Sequence, residues 1–353
     1  MHIFKFYPEN KAKFHFGDSK GKLEDKISSD QLFSAIYNYA LLLYGSEQSN
    51  NLLLNSLMNT SFSSLWHGLR FENKQTGEYK EIFFLPRPLA PINFEDHTDL
   101  INHKKVKKIK YLSVGAYKQL LKTWCPENKQ FKYNLLKLII LGDKYACTSE
   151  ELQGIDLTQT EKDEIKPLTQ NVRPRVVVAR TNDQSENLFY QEETGINYFF
   201  TDKYLIKPFL YFIFQDELDS FLKAVINLMA DEGLGGKRSQ GMGILGKVLD
   251  EKWTENFLSA QNNGDYYISL STIFPCPDEI NNLVYYELVD RSGYIHSGIG
   301  RSLRKKQVRM LKEGSIFSGK VTGQIIDVSP GIFTEHKVYL YGKAFLVPIG
   351  EVE

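Results

Sequence analysis

Between an apolar run at Tyr204–Phe214 and an extended segment from Ile244 to Leu249, the chain inserts one amphipathic helix and six glycines in fourteen residues. The helical stripe is Leu218, Phe221, Leu222, Val225, Leu228 and Met229, spaced three and four apart, with Asp216 placed to cap its start. The glycines are Gly233, Gly235, Gly236, Gly241, Gly243 and Gly246, where a chain with 25 glycines in 353 residues would place about one. Without Cβ atoms, such a loop can enter positive φ and bring backbone N–H groups close to an anion. Lys237 and Arg238 add charge-assisted donors to it, and Ser239 adds a hydroxyl. The phosphate it meets does not belong to a nucleotide in a P-loop. That pattern needs glycine where Asp231 stands and Ser or Thr where Arg238 stands. Gly241 to Gly246 does spell G-x-G-x-x-G, but it leads out of a helix into a strand, the reverse of a dinucleotide-binding turn.

The opening residues repeat the β-α-β theme. Ile3, Phe4, Phe6 and Tyr7 form a strand that stops at Pro8, and a polar loop with His15 and Gly17 follows. Ser28, Ser29 and Asp30 supply N-cap chemistry for a helix carrying Leu32, Phe33, Ile36, Tyr37, Ala40, Leu43 and Tyr44 up to Gly45. Glu81 to Leu85 reads as a strand ended by Pro86-Arg87-Pro88. Residues 90–170 read as helices and loops, followed by extended segments at Arg173–Arg180 and Leu188–Phe200 around a turn at Asn182-Asp183. Residues 1–250 therefore have the order of a ferredoxin-like domain, with an insertion at about 90–200 and the glycine loop at 233–243. Residues 264–353 form a second, smaller α+β unit, with strands expected at Tyr266–Phe274, Leu283–Val289, Ser315–Val321 and His336–Val347.

Composition removes several classes. At 42% hydrophobic with zero formal net charge, the chain is not disordered. No apolar run approaches the ~18 residues of a membrane span, and the first residues show no secretory signal. Three cysteines, odd in number and far apart, fit a reducing compartment, so the cytoplasm is expected. The zero is a sum of unlike blocks. Residues 291–320 hold eight basic residues against one acid, Glu313; Lys104 to Lys110 holds five lysines, and Glu150 to Glu164 is acidic. Local charge thus permits a phosphate-facing surface that net charge conceals.

Catalytic constellations are sparse. No His/Cys/Asp/Glu spacing suggests zinc, there is no G-x-S-x-G elbow, and no cofactor or metal is expected. His15, between Phe14 and Phe16, is the one candidate general acid/base, and it needs a partner base for RNA cleavage. Asp30 could hold a metal, but its place beside Ser28 and Ser29 favours capping.

These residues carry a resemblance. The N-terminal strand, the His15 loop, Ser29-Asp30-Gln31-Leu32-Phe33-Ser34-Ala35-Ile36 and the Gly233–Gly243 loop resemble the RAMP superfamily of CRISPR–Cas proteins. Tyr294 to Gly298, Arg304-Lys305-Lys306, Gly314 to Phe317, Asp327 to Pro330 and Tyr339 to Phe345 are similar to the fourth-subunit family of type III-A Csm effector complexes. That resemblance implies an α+β fold of two ferredoxin-like (RRM-like) modules with no nuclease activity of their own. It implies a Cas-five-like subunit that holds the 5′ handle of the crRNA and bridges the large polymerase-type subunit to the backbone RAMP subunit. The RNA-binding residues it implies are Gly233, Gly235, Gly236, Lys237, Arg238, Ser239 and Gly241, with His15, Ser29 and Asp30 from the N-terminal motif. Arg301, Arg304, Lys305 and Lys306 come from the basic C-terminal motif, and Arg173, Arg175 and Arg180 from an extended basic segment. The alternative is a RAMP endoribonuclease that processes CRISPR repeat RNA with His15.

Overall fold

The structure, a computed structural model, describes residues 1–17, 23–49, 54–94, 100–134, 137–178, 185–254, 264–295 and 303–350. Its centre is a mixed sheet whose strands run in the order Lys247–Lys252, His2–Tyr7, Tyr204–Phe214, Trp66–Asn73, Tyr79–Pro86, Tyr111–Ser113, Tyr145–Thr148 and Leu138–Leu141. The first four are antiparallel neighbours. Helix Ser29–Gln48 lies in the connection between the first two of them in sequence, and helix Ser220–Glu232 between the last two.

Alternate residues of the two central strands are buried on opposite faces of the sheet, which is why Tyr204–Phe214 reads as a nearly continuous apolar run. Phe4, Phe6, Leu210, Phe212 and Phe214 face the two helices, packing with Leu32, Phe33, Ile36, Leu222, Val225 and Met229. Ile3, Phe209, Tyr211 and Ile213 face the other way and meet Tyr117, Leu120 and Phe131 of the insertion. A strand buried on both faces has no polar alternation to show.

The insertion is not only helices and loops. Tyr111–Ser113, Tyr145–Thr148 and Leu138–Leu141 extend the central sheet, and short strands at Ile92–Phe94, Trp124–Cys125 and Gln130–Tyr133 form a separate one. Strand Trp66–Asn73 was not expected. Its polar His67 and Arg70 mask the pattern, and Gly68 is required because a Cβ there would lie 2.1 Å from the Phe209 ring. Two other boundaries also move. Asp219, not Asp216, caps the second helix, accepting from the Leu222 N–H at 2.8 Å, while Asp216 accepts from the Thr60 hydroxyl. The last strand begins at Lys247, three residues beyond Ile244.

Beyond residue 264 the strands are short. Leu283–Tyr285, Ile316–Phe317, Tyr266–Ser269 and Leu346–Ile349 make a four-stranded sheet, and Leu288–Arg291 pairs with Val308–Leu311 beside it. Among the described residues this unit has no α-helix, only the 3-10 turn Pro277–Asn282. The expected long strands break up because Pro275, Pro277, Gly293, Gly314 and Gly323 interrupt the runs.

Residues 23–28 join the two units. The Asp25 carboxylate accepts from Tyr111 at 2.7 Å and faces Lys110 and Lys144, and Lys26 pairs with the buried Glu313. Burial alone would raise the Asp25 carboxyl, but Lys110, the Tyr111 bond and Lys144 hold it below the usual carboxylate range. Under this loop, His67 donates from Nε2 to the Asp25 carbonyl at 2.7 Å, and Tyr145 reaches its Nδ1 at 3.1 Å. The imidazole is therefore neutral, and burial lowers its pKa to about 4. The unfolded chain then binds the extra proton between about pH 6.5 and 4, so stability should fall as pH drops through that window, by about 3 kcal/mol at most. Thermal unfolding measured from pH 7 to 5 checks this. The wild-type midpoint should fall more steeply than that of His67→Gln, and parallel profiles would refute the assignment.

Candidate nucleic-acid interface

The glycine loop closes the C-terminal end of helix Ser220–Glu232. Gly233 takes φ +98° and Gly243 φ +95°, and a Cβ on Gly243 would lie 2.5 Å from the Leu234 carbonyl oxygen. Most of the loop's glycine N–H groups are already used. Gly233 donates to Met229, Gly236 to His15, Gly241 to Arg238 and Gly243 to Lys13, at 2.8–3.0 Å. The glycines therefore serve mainly to fold the loop tightly against residues 13–16. The N–H groups of Gly235, Lys237, Arg238 and Ser239 take no backbone acceptor among the described residues. Lys237 stands at φ +62° ahead of the 3-10 turn Arg238–Gln240, and Lys237, Arg238, Ser239 and Gly241 are all exposed.

The loop forms one side of a cleft of about 260 Å³. His15 lies against it, and Gln31, Ser34, Asn38 and Tyr39 of helix Ser29–Gln48 form the opposite wall. His15 Nδ1 lies 3.2 Å from the Glu192 carbonyl oxygen, which can only accept, so Nδ1 carries the proton. No second histidine and no carboxylate lines this cleft among the described residues.

A second cleft, of about 230 Å³, lies across the same helix and shares Gln31 and Ser34 with the first. Its far wall is Asp290, Arg291, Ser292, Lys305 and Lys306, and Asp30 lies on the helix side. Lys305 is half-buried there; burial lowers its pKa, and Asp30 opposes that effect. Lys306 is exposed, and Arg304 lies over the exposed Tyr294 ring, 5.6 Å from its centroid.

Arg173 and Arg175 stand on one face of a long hairpin, Thr169–Val178 with Ser185–Ile196, whose base joins strand Ala12–Phe14. Gln191, the register partner of Arg173, reaches Met242 of the glycine loop at 3.8 Å. The buried Glu193 lies 3.4 Å from Arg173 and 3.0 Å from Lys13. The opposite hairpin face is apolar and open, with Val172, Leu188 and Tyr190 exposed by 61%, 62% and 67%.

Ser29 and Asp30 do not face the clefts freely. Both are buried at the junction, where Thr272 meets the Ser29 hydroxyl at 2.9 Å and the Asp30 carboxylate at 3.0 Å. Arg291 pairs with Asp30 at 2.9 Å, which corrects the sequence reading twice. Asp30 is an ion-pair partner, and Arg291, counted in the basic 291–320 stretch, is spent inside the protein. Arg180, Arg301 and the turn at Asn182-Asp183 lie outside the described residues. Sequence reading missed Tyr39 and Asn38, and gave Ser34 only as part of the N-terminal motif without a place in the cleft. The helical stripe hid them, although an i, i+4 polar pair beside it was visible.

Residues 262–349 match the family described as CRISPR Csm4 C-terminal domain. The CRISPR system protein Csm4 of Methanocaldococcus jannaschii is 29% identical over 99% of this chain and 97% of its own length. A crystal structure of a Csm3–Csm4 subcomplex from a type III-A CRISPR–Cas interference complex superposes with TM-score 0.66 and 25% identity, covering 99% of this chain and 100% of that one. The chain is similar to Csm4 proteins along nearly its whole length. The Csm4 protein of Streptococcus thermophilus is 32% identical over a shorter stretch, 37% of this chain and 45% of its own. A Csm1–Csm4 cassette in complex with cA4, at 16% identity, TM-score 0.56 and coverage of 100% and 98%, shares the fold. The fold seen here is mixed α+β and rich in strands, similar to that of the Csm4 in the Csm3–Csm4 subcomplex.

Proposed function

We propose that this chain is a non-catalytic RNA-binding and assembly subunit of a type III-A CRISPR–Cas interference complex in the cytoplasm. It holds the 5′ handle of the crRNA and bridges the large polymerase-type subunit to the backbone RAMP subunit. The observation that carries this reading is the pair of clefts sharing Gln31 and Ser34, one closed by the glycine loop with Arg238, the other by Lys305 and Lys306. A single strand can lay phosphates on those cations and turn bases toward His15, Ser34 and Asn38. His15, the Gly233–Gly241 loop and the Lys305-Lys306 pair face the RNA, Arg304 with Tyr294 offers a stacking surface, and Arg173 and Arg175 extend the basic side along the hairpin. Ser29 and Asp30 act at one remove, by setting the helix.

Assembly is supported by the relatives solved together with Csm3 and with Csm1. It is also supported by the open apolar face of the hairpin, since a contiguous patch of that kind on a protruding ribbon calls for a covering partner. A ferredoxin-like reading of the first module is supported by its strand order, in which the fourth, first, third and second core strands lie side by side with a helix in each crossover. The same reading has no α-helical support among the described residues of the second unit. No described helix is long and apolar enough to cross a membrane.

The test is to reconstitute the complex with Lys237→Ala/Arg238→Ala. Handle nucleotides should become accessible to nuclease while the rest of the crRNA stays protected. Undiminished handle protection and assembly would count heavily against the reading. The endoribonuclease alternative is checked by incubating repeat RNA with the chain in EDTA. Cleavage that disappears in His15→Ala would establish the enzyme instead, although no second histidine and no carboxylate lines the His15 cleft among the described residues.

A further inference from the structure

Tyr39 sits on the inner side of helix Ser29–Gln48, only 3% exposed, where its spacing reads as an ordinary core aromatic. Its hydroxyl is not idle. It donates to the carbonyl of Gly233, the residue that ends helix Ser220–Glu232, and accepts from Arg238 Nη1, both at 2.5 Å. A phenol has one proton to give. Because the Gly233 carbonyl must receive it, the bond to Arg238 runs the other way, and the three groups form a one-directional chain from guanidinium to phenol to helix end. The guanidinium carbon also stands 5.4 Å from the Tyr39 ring centroid, so the ring and the hydroxyl hold the same cation.

Arg238 is otherwise exposed, and no carboxylate among the described residues pairs with it. A free arginine at a surface spreads over many rotamers and must lose that freedom when it binds an anion. Here one of its five N–H donors is anchored to a buried group, leaving the remainder of the planar fork at the mouth of the cleft. The anchor also fixes the loop, because the phenol grips Gly233, the first of its glycines.

We propose that Tyr39 is a positioning residue for RNA binding, presetting the Arg238 fork to receive a backbone phosphate. This rests on the reading of the glycine loop as an RNA contact. Tyr39 touches no phosphate itself; it acts through Arg238.

The experiment is a double-mutant cycle on purified protein, measuring affinity for single-stranded handle RNA across a salt series. Tyr39→Phe keeps the ring and its packing and deletes only the hydroxyl. It should weaken binding by about 5-fold in the wild-type background and by less than about 2-fold when Arg238 is already alanine. Tyr39→Phe should also leave the salt slope unchanged, since the charge is still present. Arg238→Ala should flatten that slope by about 0.7, one phosphate on a single strand. Arg238→Lys keeps the charge without the fork, so it should weaken binding as Tyr39→Phe does and should not add to it.

Equal losses from Tyr39→Phe in both backgrounds would reduce Tyr39 to a packing role and overturn the proposal. So would a silent Tyr39→Phe beside a damaging Arg238→Ala. If Arg238→Ala is itself silent, the RNA reading of the glycine loop fails first, and that outcome is separate from the other two. Thermal unfolding of each variant confirms that the folded state is being compared.

Discussion

Removing four charges, with Lys237, Arg238, Lys305 and Lys306 all changed to alanine, should weaken binding of single-stranded handle RNA by 100-fold or more, on the order of 1 kcal/mol for each lost charge-assisted contact. The salt dependence should change with it. Each phosphate neutralised on a single strand contributes about 0.7 to the slope of log affinity against log salt, so the slope should flatten by roughly 3. The informative control removes equal charge elsewhere. Lys104, Lys105, Lys107 and Lys108 on helix Leu100–Lys108 are exposed, and they sit in the last turns, where cations suit the helix dipole without any ligand. Changing those four to alanine should leave the slope within about 0.5 of wild type. If both sets flatten it equally, RNA is held by diffuse attraction and not in the clefts.

The uneven legibility of the sequence has physical causes. Tyr204–Phe214 was readable to the residue because both faces of that strand are buried over most of its length, which leaves an apolar run broken only by Lys207. Trp66–Asn73, its neighbour in the sheet, was invisible. His67 is polar yet fully satisfied by Asp25 and Tyr145, and Gly68 is small only so that Phe209 can cross it. Neither fact has a local signature. In the C-terminal unit, two-residue strands such as Ile316–Phe317 and Tyr339–Leu340 are defined by their partners and are too short to establish a period.

The interface divides in the same way. Backbone geometry imposed by glycine is written locally, so the 233–243 loop stood out. What a charged side chain does depends on what the fold brings beside it, and the sequence does not record that. Arg291 and Lys305 look alike in a basic stretch and line the same cleft, but Arg291 is closed into an ion pair with Asp30 while no carboxylate among the described residues forms a salt bridge with Lys305. Asp30 looked like an RNA-motif residue and proves to be the partner that takes Arg291 out of the basic surface.

That ion pair should be the most expensive single contact to break. Arg291 reaches Asp30 at 2.9 Å, the Ser28 hydroxyl at 2.6 Å and Glu24 at 3.4 Å, with the Arg291 and Asp30 side chains 9% and 4% exposed. Alanine at 291 would leave Asp30 without its cation and remove the counter-charge from Glu24, whose carboxyl burial already pushes upward. Breaking a buried pair from one side costs about 3–5 kcal/mol, so Arg291→Ala should lower the unfolding midpoint more than any cleft variant does. Removing both charges with Asp30→Asn/Arg291→Met should be milder than the sum of the single changes, because Asp30 no longer remains as a buried carboxylate without its cation. Hydrogen exchange locates the damage. Protection should fall first in the opening turns of helix Ser29–Gln48 and in the Leu288–Arg291 and Val308–Leu311 strands, the elements this contact joins. Because the first of these carries Gln31 and Ser34, Arg291→Ala should also loosen both clefts, weakening RNA binding while the salt slope stays near wild type. A slope that flattens by a full phosphate would instead mean that Arg291 meets RNA directly, and that the pair with Asp30 opens on binding.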